Sequence, residues 1–421
     1  MKEIAYYIWK NRLLPESAHF TTDGETISII NYGKGDEEKH LITDVELEID
    51  GKPHTGEVVM CDNQGSPITM SDNVILHMAI CTPNDHSWES CRKPLLRIEI
   101  PTELADEFYG AIQQTTNLQC HASIASISRI EQHSYMSRLL TERIEEKSTL
   151  IDSNLSKCQN RWNDALLKGV IRSFGFGLQS SSFNELADIL DIRALEKHRD
   201  NLLQVEAIMF GQAGLLEEQS IPYYYREAAT ASQYCKELSA EFKFLKNKFG
   251  LQILDSSIWD CNHTPHVRIA RLAKIFHDGH LDLSRIMECE TPRDFYRHID
   301  CTLDGYWNSH VCIGGVETSG NGNISKRHLD SIIINAIIPI IYLWGKKHGL
   351  ERECSKAEDF LHQLNCEENR IVRQWKERGI QIECAADSQA ILQLEKKYCR
   401  AHRCTACRFA CFHIRQRLTT P

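Results

Sequence analysis

The chain has 421 residues, 42% of them hydrophobic and 25% charged. Those proportions exclude wholesale disorder and a fibrous fold, and leave room for two or three domains. The net charge of −10 is unevenly held: residues 1–125 carry 9 Lys+Arg against 20 Asp+Glu, and residues 126–421 carry 39 against 38. The acidic first third is therefore a poor candidate for nonspecific adhesion to nucleic acid or to membranes.

The opening, Met1 to Lys10, has no charged-then-apolar leader pattern, so the expected location is cytoplasmic. In that compartment the 17 cysteines are expected to be mostly reduced thiols, with a metal site open to some of them. From Glu25 to Pro101 the signal is strand-like. Thr26 to Ile30, Val45 to Ile49, Val74 to Ile80 and Leu95 to Ile100 are rich in β-branched residues, with turns expected at Asp23-Gly24, Asp50-Gly51, Gln64-Gly65 and Pro83-Asn84. Alternation puts Glu46 and Glu48 on the outer face of a strand whose inner face is Val45, Leu47 and Ile49. Residues 1–125 read as an acidic, β-rich α+β domain.

After residue 125 the periodicity turns helical and stays so through residue 395. Met136 to Lys147, Phe183 to Leu190, Leu202 to Leu216 and Ala231 to Lys248 carry apolar residues at helical spacing. Ser182 with Glu185 and Ser355 with Glu358 fit capping boxes, and Thr291-Pro292 sets a cap before a first-turn proline. Ile332 to Trp344 is too short an apolar run to span a bilayer; it reads as a core helix with one polar side chain, Asn335, and a kink at Pro339. Gly314 to Asn323 reads as a loop. The glycines of Phe210-Gly-Gln-Ala-Gly214 are better explained by close helix approach or a turn than by phosphate binding, because no strand precedes them. Cys261, His263, His266, His277 and His280 form a scattered set, read as surface or capping residues.

The sharpest local signal is C-terminal. Cys399, Cys404, Cys407 and Cys411 follow a Cys-x4-Cys-x2-Cys-x3-Cys spacing, in which a Cys-x2-Cys pair can wrap one metal and four thiolates complete a site for Zn2+ or an iron–sulfur cluster. His402 and His413 are ligand types within reach, and the competing reading is thiols packed as small hydrophobes. Residues 396–421 hold Lys396, Lys397, Arg400, Arg403, Arg408, Arg415 and Arg417 and no acidic residue. This basic tail, expected to pack on the helical domain, suits contact with a phosphate backbone.

Several stretches resemble an uncharacterised bacterial domain-of-unknown-function family. They include Ile8-Trp9-Lys10, Glu206-Ala207 with Phe210 to Leu216, Pro265 with Val267 to Ile269, Tyr306-Trp307 with His310, Ile334-Asn335 with Pro339, Asp387 to Gln389, and Tyr398-Cys399 with Cys404 and Cys407. The resemblance implies Gly-Pro-Asp-Phe before one strand and Gly-x-Val-Glu-Ile-His on the next. That arrangement is similar to the magnesium-binding core of restriction-endonuclease-like nucleases. This chain departs from it, with Lys39-His40 in place of Pro-Asp and Val59-Met60-Cys61 in place of Glu-x-His. The expectation is a non-catalytic interaction or nucleic-acid-associated protein with a structural metal site. The alternative is a metal-dependent, nuclease-like hydrolase whose ligands have moved to Asp44, Glu46 or Glu57. Glu206, Arg268, His310, Asn335 and Gln389, polar residues among apolar neighbours, are expected to form a buried brace or line a pocket.

Overall fold

A computed structural model describes residues 1–421 except 16–19, 62–71, 84, 93, 176–178, 260–264, 321 and 420–421. The expected turns at Gln64-Gly65 and Pro83-Asn84, and the histidine-set members Cys261 and His263, fall wholly or partly outside the described residues. The fold is α+β. Six strands, Ile27–Asn31 (β1), Lys34–Asp36 (β2), Leu41–Ile49 (β3), Lys52–Met60 (β4), Val74–Cys81 (β5) and Leu95–Glu99 (β6), form one mixed sheet ordered β1-β3-β4-β5-β6, with β2 also on β3.

Asp50 and Gly51 sit at φ of 48° and 74°, the left-handed pair that a two-residue hairpin turn requires, and Ile49 faces Lys52 across it. That turn brings in β4, a strand whose Pro53, His54 and Gly56 hide it from propensity. The alternation expected of Val45 to Ile49 is present, with Val45, Leu47 and Ile49 buried and Glu46 exposed. β4, β5 and β6 then run parallel. Their buried ends, Val58 to Met60 and Leu76 to Cys81, form the nearly continuous apolar runs that a sheet covered on both faces demands. The helix Lys2–Lys10 buries every residue from Ile4 to Trp9 and packs against β4 and β5; Trp9 Nε1 donates to the Tyr32 carbonyl at 3.0 Å.

Two compact units result. The first gathers 1–139, 368–382 and 390–421; the second gathers 140–367 and 383–389. The sequence suggested divisions at 125 and 395, with the basic tail on the helical domain; instead the tail belongs to the unit that holds the sheet. The 29-residue helix Arg129–Lys157 runs across the boundary at residue 139.

In the second unit the helices Ser180–Ile189, Leu202–Gln212 and Gln233–Phe249 occupy the expected segments. Thr291 caps Pro292–Ile299 in a capping box with Asp294. The other two capping assignments are corrected. Ser182 lies inside its helix and donates to the Ile258 carbonyl at 2.6 Å, and Ser355 lies within Glu351–Gln363. The apolar run belongs to the helical stretch Lys326–His348, long and apolar enough to cross a membrane, yet 78% of its most apolar window is buried within the protein. Its irregularity is a π turn, Ile333–Ile337, immediately before Pro339, as expected where proline withdraws a backbone donor. His277 Nδ1 lies 2.6 Å from the Arg199 carbonyl, in keeping with a structural histidine.

The two glycines in Phe210 to Gly214 have separate causes. Gly214 takes φ +72° and ends its helix. Gly211 faces the ring of Phe242 on Gln233–Phe249, and any Cβ there would run into that ring. Gly211→Ala is therefore expected to lower stability by about 1–3 kcal/mol. A thermal midpoint several degrees below wild type would show it, and an unchanged midpoint would contradict the close approach.

Candidate functional site

The C-terminal segment is held by its thiols. A 3-10 turn, Cys404–Ala406, leads into the helix Arg408–Thr419, whose first amides, those of Phe409 and Ala410, donate back to the Cys407 sulfur. The Tyr135 hydroxyl donates to the same sulfur at 3.6 Å. The Leu118 amide donates to the Cys404 sulfur at 3.4 Å, and Asn117 Nδ2 donates to the Cys399 carbonyl at 2.9 Å. These contacts bring the segment around Cys120 against the tail.

Cys120, Cys399, Cys404 and Cys407 line a single cavity of about 180 Å³, with His121 and Arg378 also in its wall. All four belong to the unit that holds the sheet. Cys411 is not in that wall; its sulfur lies 2.9 Å from the Tyr7 hydroxyl. The set assembled in space is thus three of the four clustered cysteines plus Cys120, which sequence spacing did not single out. Of the nearby histidines, His413 meets the Ser123 hydroxyl at 2.7 Å. Burial pushes the Cys120 thiol up to about 12, with the sulfurs of Cys407 and Cys404 adding to it. Burial also raises Cys399, again with Cys407 adding, and raises Cys404 and Cys407. Without a cation these sulfurs are neutral thiols. Among the described residues no three His, Cys, Asp or Glu side chains are close enough to hold a single metal ion.

Among the described residues the N-terminal carboxylates form no metal-holding group of three, although Asp44, in the β3 bulge between the Ile42–Val58 and Val45–Gly56 pairs, lies across the ladder from Glu57. Asp44 is exposed and 3.5 Å from the Lys34 ammonium, Glu46 is on the exposed face of β3 opposite Thr55, and Glu57 is on β4 beside Val74.

Residues 2–370 match the family described as a protein of unknown function, DUF2851. The chain belongs to the DUF2851 family. No curated protein and no solved structure matches it. In this DUF2851 member the match includes Cys120 and ends before the three tail cysteines of the cavity.

Of the polar residues expected in a network, Asn335 and Gln389 meet through Lys147. Its ammonium donates to Asn335 Oδ1 at 2.8 Å, to Gln389 Oε1 at 2.6 Å and to the Ile334 carbonyl of the π turn at 3.3 Å. Arg143 Nε adds a bond to Gln389 Oε1 at 3.1 Å, and Gln389 Nε2 donates to Glu367. Glu206 and His310 belong to a different group, built of aromatic rings. Trp307 Nε1 donates to the Tyr234 hydroxyl at 2.6 Å, and that hydroxyl donates to Glu206 at 2.9 Å. Tyr306 stacks on Tyr234 on one side and on His310 on the other. Arg268 donates to the Phe174 carbonyl at 2.9 Å.

His266 completes the aromatic group, stacked on both Phe210 and Trp307, and neither ring nitrogen has a hydrogen-bond partner among the described residues. Burial holds its imidazole down at about 4, and burial pushes the Glu206 carboxyl up to about 7 against the opposing effect of Tyr234. The two shifts act oppositely on stability. Folded Glu206 keeps a proton the unfolded chain releases above its ordinary 4.5, so its contribution is greatest at low pH and is lost as pH rises through 7. Folded His266 refuses a proton the unfolded chain binds below 6.5, so its contribution is present above 6.5 and is lost as pH falls towards 4. From pH 4.5 to 6.5 the slopes offset. Glu206→Gln removes one of them, so stability is expected to rise with pH across this window more steeply than wild type, by up to about 1.4 kcal/mol per pH unit. Urea midpoints at three pH values measure this, and parallel wild-type and variant profiles would contradict it.

Proposed function

We propose that this DUF2851 protein is a non-catalytic, nucleic-acid-associated protein whose C-terminal cysteines form a structural metal centre. The observation that carries the reading is the pairing of a buried thiol set with an exposed basic surface in one short segment. Lys396, Arg400, Arg403, Arg408, Arg415 and Arg417 are exposed, while Cys404 and Cys407, between them in sequence, are buried. A metal bound by these thiols fixes the backbone that carries the cations, so they meet a phosphate backbone without first paying the entropy of ordering a free tail. Arg403 lies over the Tyr398 ring and Arg408 donates to the Ser134 hydroxyl at 3.2 Å, contacts that hold both guanidinium groups near the surface.

The test is fluorescence anisotropy of the metal-loaded full chain with labelled single- and double-stranded DNA and RNA over a salt series. Binding should weaken linearly in log salt, and Arg403→Glu with Arg408→Glu should flatten that slope by about 2, near 0.9 per lost phosphate contact. No binding at low salt, or binding indifferent to both substitutions, would overturn the proposal.

A further inference from the structure

The geometry points to a four-iron, four-sulfide cluster held by Cys120, Cys399, Cys404 and Cys407, with Cys120 as the ligand that ties the tail to the segment before Arg129–Lys157. This rests on the reading of the tail cysteines as a metal centre and is independent of nucleic-acid binding. Three observations separate a cluster from a single zinc ion.

The first is spacing. Tetrahedral zinc with bonds of about 2.3 Å requires four sulfurs within about 3.8 Å of one another. Among the described residues no group of three donors could hold a single metal ion, although the four thiols share one cavity. In a cubane cluster each thiolate binds a different iron, which sets the ligand sulfurs further apart around a common centre.

The second is volume. The cavity, about 180 Å³, exceeds the cavities of about 150 Å³ that admit a benzene molecule. It is sized for a compact group of several atoms rather than one ion.

The third is the environment of the sulfurs. Amides of Leu118, Phe409 and Ala410 and the Tyr135 hydroxyl aim at Cys404 and Cys407, and hydrogen bonds to ligand sulfurs are a means by which proteins stabilise such clusters. Arg378, in the cavity wall and 4.8 Å from the Trp375 ring centroid, supplies positive charge beside thiols that would each lose a proton on binding iron. Cys411 is excluded because its sulfur faces Tyr7 and lies outside the cavity.

The experiment is anaerobic purification of the full chain, with iron, sulfide and zinc analysis and an absorption spectrum, for wild type, Cys120→Ser, Cys404→Ser and Cys411→Ser. Expected are about four irons and four sulfides per chain with broad violet absorption, lost by roughly fivefold or more in Cys120→Ser and Cys404→Ser and kept in Cys411→Ser. Circular dichroism accompanies each variant, and Cys411→Ser keeps the test decisive should Cys120→Ser fail to fold. Stoichiometric zinc without iron overturns the cluster, and iron lost from Cys411→Ser but kept in Cys120→Ser overturns the ligand set. A folded wild type free of metal overturns both this inference and the metal centre beneath it. Iron in a protein that binds no nucleic acid upholds this inference while removing the nucleic-acid role.

Discussion

Withdrawal of four thiols from water into one cavity is the constraint on which the arrangement of the first unit depends. Cys120 and Cys404 are far apart in sequence, and their meeting seats the C-terminal segment in the unit built round the sheet. As neutral thiols they cost little to bury, since cysteine packs as a small hydrophobe. As thiolates they would be costly unless a cation or cluster accepted their charge. Burial raises all four, so a metal centre there would have to draw off their protons as it binds. In the proposed centre, metal binding and deprotonation of the thiols would be one event.

The second unit is organised by polar groups in an apolar setting. Lys147 answers the carbonyl of Ile334 in the π turn ahead of Pro339 and ties it to Asn335 and Gln389. One long cationic side chain thereby satisfies groups that an apolar residue would strand. The Glu206 and His266 group follows another logic, in which burial disfavours charge on both side chains while aromatic rings supply the packing.

Much of this was legible locally. β3 showed its faces in the alternation of Val45 to Ile49, Asp50-Gly51 marked the hairpin, and Gly211 and Gly214 marked a close approach and a helix end. What stayed hidden was set by tertiary partners. The first half of β4, with Pro53, His54 and Gly56, lacks strand propensity and is drawn into the sheet by its turn and by β3. Ser182 matched a capping pattern, yet the Ile258 carbonyl competes for its hydroxyl. Cys411 fitted the metal spacing on paper but turns to Tyr7, whereas Cys120, alone in its stretch, had no neighbour to mark it. Lys147 and His266 carry no periodic signal that separates them from a surface lysine and a surface histidine.

X-ray absorption at the metal edge of the anaerobically purified full-length protein distinguishes a cluster from a single ion at the four thiols. A cluster held by the four thiols gives an iron edge with an all-sulfur first shell and a clear iron–iron shell beyond it. A zinc edge with a sulfur shell and no metal–metal scattering, or nitrogen and oxygen neighbours in place of sulfur, would contradict it.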